Sequence, residues 1–252
     1  MPSVTTPAVV LHVMPYRETS VILRLLTRDL GVASALARGA RRAKSRTGPR
    51  LDLFMAGDAT LFIKPHRDLH PLTAFEATTS HGALGADVGR FAAASALVEL
   101  ALKCTPAEAQ SSVFDAVSAG LSAIEHAPPE LSETVALLAV WGLVVAFGFT
   151  PALDRCVVCG AVADGGVAFS PAQGGALCAA HRRGEQVSSL KETDAAALSS
   201  LVKGRLPEQL SAKHAAAHRR LLLGFIRYHL AEHRPMPALT FWDAESWNAT
   251  SS

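Results

Sequence analysis

Cys156-Val157-Val158-Cys159-Gly160 and, further along, Cys178-Ala179-Ala180-His181 form two hooks of the same spacing. Three of the chain's four cysteines fall in them. Each hook separates two soft ligands by two residues, so a tight turn can aim both at one ion. Thiolates and imidazole in a tetrahedral set are what Zn²⁺ prefers. Between the hooks lie Gly160, Gly165, Gly166, Pro171, Gly174 and Gly175, which punctuate turns and a short hairpin, not a helix. The spacing predicts a closed knuckle in which Cys156, Cys159, Cys178 and His181 hold one structural Zn²⁺. All four positions are filled by protein, so none is left for a substrate. Such a site contributes on the order of 10 kcal/mol to local folding. A Cys156–Cys159 disulfide competes weakly, because nothing marks the chain as secreted. A redox CxxC normally opens a helix in a βαβ setting, which these glycines do not offer.

The residues around the knuckle read as helices. Leu131 to Phe149 is apolar nearly all round and predicts the central buried helix; Gly148 and Pro151 end it just before the first hook. The knuckle, at about 153–184, is therefore expected as an excursion from a helical domain covering 81–252. From Asp87, Phe91, Ala94, Val98, Ala101 and Leu102 recur at helical spacing. Thr105-Pro106-Ala107-Glu108 has the form of a capping box with Pro at the first helical position, and predicts a new helix starting there. Its expected apolar face is Val113, Val117, Leu121 and Ile124. Ser189-Leu190-Lys191-Glu192 is a second capping box, leading a helix to about Lys203. The last long helix is expected from about Glu208 to His233, with Leu221, Leu222, Phe225, Ile226 and Leu230 buried. Its other faces carry a second basic patch, Arg219, Arg220 and Arg227, as a contact for DNA or an acidic peptide. Cations near a helix C-terminus are also favoured by the macrodipole alone. Phe241, Trp242 and Trp247 follow without periodicity, and either pack back or await a partner. Cys104 is expected in the core.

The first third reads differently. Val9, Leu11 and Val13 alternate with Val10 and His12; Val21, Leu23 and Leu25 alternate with Ile22 and Arg24. Val32 and Leu36 follow Gly31. Leu51 and Leu53 lead to Gly57, then Leu61 and Ile63 alternate with Phe62 and Lys64; Leu69, Leu72 and Phe75 close the set. Five short strands over residues 1–80 predict a small barrel of the oligonucleotide-binding type, with an SH3-like barrel as the alternative. After the third strand runs Arg38-Gly39-Ala40-Arg41-Arg42-Ala43-Lys44-Ser45-Arg46-Thr47-Gly48-Pro49-Arg50, with six basic residues and no acid. A solvated, disordered loop is the bland reading. Six uncompensated cations repel one another unless an anion relieves them, and the phosphate backbone is the usual one. Arg38, Arg41, Arg42, Lys44, Arg46 and Arg50 are therefore the expected DNA-binding set, without sequence preference. If all six met phosphates of a single strand, the salt slope would be roughly −4.

At 252 residues, with 49% hydrophobic and 18% charged residues, the chain has the composition of an ordinary soluble protein of two or three small units. Its net charge of +2 says little about partners. Ala8 to Met14 is too short for a signal peptide, and Val135 to Gly148 too short to span a bilayer. A reducing cytoplasm is the expected compartment, with no membrane partner.

Taken in order, these features resemble the RecO family of bacterial recombinational-repair proteins. In the barrel the likeness rests on Tyr16-Arg17-Glu18-Thr19-Ser20, Thr27, Gly31, Ala37 to Arg42 and Ser45. Later it rests on Gly148-Phe149-Thr150-Pro151, Leu153, Cys156, Cys159-Gly160, Phe169-Ser170, Gly174-Gly175 and Cys178. The resemblance implies an α+β multidomain fold: an N-terminal five-stranded oligonucleotide-binding barrel, then an all-α domain with the zinc knuckle inserted. It implies a non-enzymatic protein at the nucleoid that binds single- and double-stranded DNA and anneals complementary strands. It implies work with RecR, with RecF and RecA as further partners, on DNA coated by single-strand-binding protein, whose acidic tail meets the helical domain. His181 departs from the family pattern, where zinc-bearing relatives usually show a fourth cysteine. Other relatives lack these cysteines, which makes the metal a scaffold.

Two rivals are distinguishable. A zinc deaminase needs H-x-E and an open zinc position, and no His here is followed two residues later by Glu. No P-loop lysine motif or G-x-S-x-G elbow occurs either. A zinc-containing, DNA-binding transcription regulator would need a recognition helix and a preferred site.

Overall fold

The computed structural model describes residues 3–42, 51–106, 108–162, 167–182, 187–208, 210–231 and 234–244. The alternating first third forms β1 (Ser3–Tyr16), β2 (Ser20–Thr27), β3 (Gly31–Ala37), β4 (Ala56–Phe62) and β5 (Leu69–Thr79). They close into a barrel in the order β1-β2-β3-β5-β4, with β1 pairing β4 and only β3–β5 parallel. This is the oligonucleotide-binding arrangement that the sequence leads one to expect. Val10, Leu23, Leu25, Ala35, Leu61 and Phe75 fill its interior.

One strand departs from simple alternation. The β1–β2 register slips between Val10 and His12, leaving Leu11 as the extra residue of a bulge. Val10 and Val13 therefore serve the barrel interior, while Val9 and Leu11 join the core of the helical domain. β1 thus feeds two cores, and the bulge returns Val13 to the face of Val10. Phe54 joins the helical core from the other side. It is held at φ +68, a conformation costly for a bulky residue. Its N–H donates to the Val10 carbonyl at 3.0 Å, and its ring meets Phe91 edge-on at 5.6 Å.

The helical domain comprises α1 (Val88–Cys104), α2 (Ser111–His126), α3 (Ser132–Ala146), α4 (Glu192–Val202), α5 (Ala212–His229) and α6 (Pro237–Asp243). Asp87 caps α1 by accepting from the Arg90 N–H at 2.8 Å. The apparent capping box at Thr105 does not start a helix. The Thr105 N–H and Oγ1 both donate to the Ala101 carbonyl, so Thr105 ends α1, and α2 begins only at Ser111. The second apparent box also misleads: Ser189 belongs to a strand, and Lys191 is the residue before α4. Residues 129–146 are long and apolar enough to cross a bilayer by length and composition, a longer stretch than the 135–148 run suggests. In the fold, Leu137, Val140, Trp141, Leu143 and Val144 of this stretch are fully buried against the neighbouring helices.

β6 (Val167–Ser170), β7 (Gly175–Leu177) and β8 (Ser188–Leu190) form a small sheet in the order β7-β6-β8 between α3 and α4. It is seated on the helices. Phe169 is fully buried in their core, and the His229 Nε2 on α5 lies 2.8 Å from the Pro171 carbonyl.

Candidate nucleic-acid interface and metal centre

The end of β3 turns back on the β1–β2 connection. The Arg41 N–H donates to the Thr19 carbonyl and the Arg42 N–H to the Gly39 carbonyl, both at 3.0 Å. Gly39 adopts φ +68 to allow this turn. Between the two connections lies a cleft of about 780 Å³ lined by Tyr16, Arg17, Leu36, Arg38 and Arg42, among others. Arg38, Arg41 and Arg42 are exposed, and none forms a salt bridge with a described carboxylate. Lys44, Arg46 and Arg50 lie outside the described residues.

The cleft also gathers two residues that charge counting overlooks. The Arg17 guanidinium stands 5.4 Å from the centre of the Tyr16 ring, which is 37% exposed. Cations beside an open aromatic face are the elements of a single-strand platform: charge for phosphates, a π surface for bases. The signal was present as an aromatic-basic pair in the turn between two alternating strands.

The second basic patch is corrected. Arg219 is 2% exposed, paired with Glu133 of α3 and stacked 5.8 Å from the Trp242 ring centre. Successive residues on a helix point about 100° apart, so Arg219 and Arg220 cannot share a face. Arg219 points inward, Arg220 outward. Arg227 is exposed and lies 3.7 Å from Asp243. Burial raises the Glu133 pKa against the opposing pull of Arg219. The aromatic stretch after Pro235 packs back: Trp242 is fully buried, and Glu99 of α1 accepts from the Ala238 and Leu239 N–H groups at the start of α6. Trp247 lies outside the described residues. Cys104 is half-buried, with Sγ 3.6 Å from the Leu230 carbonyl.

The knuckle brings its four predicted ligands together, all ligand atoms within 4.8 Å of one another. Cys156 Sγ is 3.7 Å and Cys178 Sγ 3.3 Å from His181 Nδ1; Cys159 Sγ is 3.8 Å from Cys178 Sγ. A tetrahedral zinc site with the usual bond lengths has S···S edges of ~3.8 Å and S···N edges of ~3.5 Å. The residues fit one metal ion bound through three sulfurs and Nδ1. Local backbone makes the turn: the Cys156 N–H donates to the Ala161 carbonyl and the Gly160 N–H to the Cys156 carbonyl, both at 2.8 Å. At Gly175 an added Cβ would stand 2.3 Å from the Ala152 carbonyl oxygen, so only glycine lets the two hooks approach. A backbone hydrogen bond from Cys178 is the main cause that lowers the Cys156 thiol to about 6. The His181 contact lowers Cys178. These two lowered thiols favour the thiolates a metal needs, whereas Cys159, though lowered by a backbone hydrogen bond from Ala161, is raised overall by burial and its thiol neighbours.

A closed five-stranded barrel with a basic, aromatic-edged cleft, sharing a core with a helical domain that carries a three-cysteine, one-histidine knuckle, defines a two-domain protein of the oligonucleotide-binding-barrel class. The family model described as Recombination protein O N terminal matches residues 1–81, and Recombination protein O C terminal matches residues 85–237. The DNA repair protein RecO of Anaeromyxobacter dehalogenans (strain 2CP-C) is 34% identical over 250 residues, covering 96% of this chain and 97% of that protein. The DNA repair protein RecO of Nocardioides sp. (strain ATCC BAA-499 / JS614) is 32% identical over 233 residues, and that of Bifidobacterium adolescentis 36% over 213. The chain belongs to the RecO family.

Proposed function

We propose that this protein acts in recombinational DNA repair by binding single- and double-stranded DNA and annealing complementary strands. The observation that carries the reading is the exposed set Arg38, Arg41 and Arg42 at the end of β3, none in a salt bridge with a described carboxylate, although Glu18 lines the cleft beside Arg38 and Arg42. Bound phosphates lose much of their mutual repulsion, so two complementary strands approach and their bases meet. Base pairing supplies the free energy; the protein lowers an electrostatic barrier and catalyses no covalent step. Lys44, Arg46 and Arg50 extend the same cationic segment. With RecR, the protein helps load RecA onto DNA coated by single-strand-binding protein, and RecF is a further partner. Arg220 and Arg227, on the outer side of α5, offer a contact for that coating protein's acidic tail. The setting is the bacterial cytoplasm, at the nucleoid.

Cys156, Cys159, Cys178 and His181 hold one Zn²⁺, whose chemistry is structural. The filled ligand set leaves no position for a reactant, and the ion fixes the knuckle that Pro171 presses onto α5.

The test is to replace Arg38, Arg41 and Arg42 with alanine and follow strand annealing and oligonucleotide binding across a salt series. Loss of annealing with a salt slope shallower by about 2, at ~0.7 per lost phosphate contact, supports the reading. Unchanged annealing and slope remove the cleft from the mechanism.

A further inference from the structure

Outside the knuckle, α4 and α5 bring three further metal-ligating side chains together. His214 and His218 stand four residues apart on α5, so both rings leave one face of the helix, with Cβ atoms about 5–6 Å apart. Only alanines lie between them. The Ser211 Oγ accepts from the His214 N–H at 3.4 Å and fixes the first turn of α5. Asp194, in the first turn of α4, meets the pair. Its Oδ1 lies 3.0 Å from His214 Nδ1 and 3.8 Å from His218 Nε2.

An acid in the first turn of a helix is favoured by the dipole alone, so Asp194 by itself marks nothing. His218 does. It is 1% exposed, yet neither of its ring nitrogens makes a hydrogen bond. Buried polar groups are nearly always paired, and this imidazole is left with both nitrogens unanswered beside a carboxylate. Burial lowers the His218 pKa against the pull of Asp194. The ring is therefore neutral, the form that gives a lone pair to a metal.

We propose that His214, His218 and Asp194 form a second metal site, for a borderline divalent ion such as Zn²⁺, which ties α4 to α5. Two imidazoles with one carboxylate suit such an ion better than Mg²⁺ or Ca²⁺, which take oxygen ligands. A tetrahedral Zn²⁺ with N and O ligands at ~2.0–2.1 Å has ligand edges of ~3.4 Å. The two separations from Asp194 Oδ1 fall on either side of that length. Among the described residues only the knuckle is already closed to within 4.8 Å on every edge. Here the edge between the two rings closes by rotation of His214, whose side chain is 43% exposed and turns without disturbing the core. Three protein ligands leave the fourth position to water, so this ion exchanges where the knuckle's is enclosed. α4 follows β8 across Lys191 alone. The second ion thus fastens to α5 the chain that leaves the small sheet, as the Pro171 contact fastens the chain within it.

The experiment uses untagged full-length protein with zinc in the knuckle. After mild chelation, Zn²⁺ is titrated against a chromophoric competitor, and bound metal is counted by mass spectrometry, for wild type, His214→Ala and Asp194→Asn. Thermal melting runs alongside. His214 is exposed, so its variant keeps the fold and leaves the buried ring untouched. Wild type should take up a second equivalent, which the mild chelator removes while the knuckle's stays. Affinity for that equivalent should fall by over ~100-fold in each variant, beyond what loss of an outer-shell partner costs. Added Zn²⁺ should raise the melting temperature of wild type and of neither variant. A second equivalent that persists in both variants is carried by other histidines and overturns the site. A wild type that takes up one equivalent only overturns it as well. The knuckle is read from the tightly held equivalent and stands in either case.

Discussion

Arg38 at the barrel cleft and Arg219 inside α5 are the same residue in opposite roles. Around Arg38, Arg41 and Arg42 the protein leaves positive charge in solvent: Glu18 lines the same cleft, yet no described carboxylate forms a salt bridge with these three. Around Arg219 it supplies a carboxylate, Glu133, and an aromatic face, Trp242, and closes the guanidinium and the ring from water. The first arrangement does little for stability and is open to an outside anion. The second ties α3, α5 and α6 together and is closed to a ligand by burial. Charge alone does not mark an interface; charge without an internal partner does.

The largest effect that bears on this contrast lies in the knuckle, where ligands are internal but the answering charge is a metal ion. Stripping the metal, or replacing Cys159 with serine, should unravel residues 152–182, with a loss on the order of 10 kcal/mol locally. Proteolysis of that segment beside metal analysis of the same sample measures it, and barrel stability should hold. Uptake by stripped protein should also weaken steadily as pH falls, because every thiol must shed its proton to bind: Cys159 is raised, so competition there starts above the ordinary thiol range, and the Cys156 thiolate is lost only below about 6.

Arg219→Ala comes next. It leaves Glu133, whose side chain is 26% exposed and can rehydrate, without its cation, so the cost lies below the about 3–5 kcal/mol of a fully buried pair. Melting should register this loss while the salt slope of DNA binding stays at the wild-type value. A shallower slope in that folded variant would break the contrast. The triple variant at Arg38, Arg41 and Arg42 should behave in the reverse manner: stability within about 0.5 kcal/mol per site, as for exposed substitutions, with binding and annealing lost. Arg227→Ala is the smallest change. Its exposed pair with Asp243 is worth under about 1 kcal/mol, so any marked loss of binding to an acidic tail peptide would assign Arg227 to the interface.

Legibility in the sequence followed the range of the forces. Alternation reported the strands of the barrel because one buried face imposes period two wherever the ladder is regular. It misjudged β1 beyond Val10, where the bulge at Leu11 turns Val13 to the barrel interior and away from the face of Val9 and Leu11. Thr105-Pro106-Ala107-Glu108 looked like a helix start, but the Thr105 hydroxyl found the Ala101 carbonyl behind it. The same side chain can cap either way, and only the path of α1 decides. Tyr16 and Arg17 were visible as residues but not as a site, since the cleft needs the end of β3 folded against them.

By itself the sequence determined the barrel, the helical domain and the metal knuckle, because strand period, helix period and ligand spacing are local patterns read over a few residues. Tertiary structure alone decided which arginines stay free. Glu133 lies 86 residues from Arg219, and whether a cation meets a carboxylate over that separation depends on how helices pack, which no local pattern records.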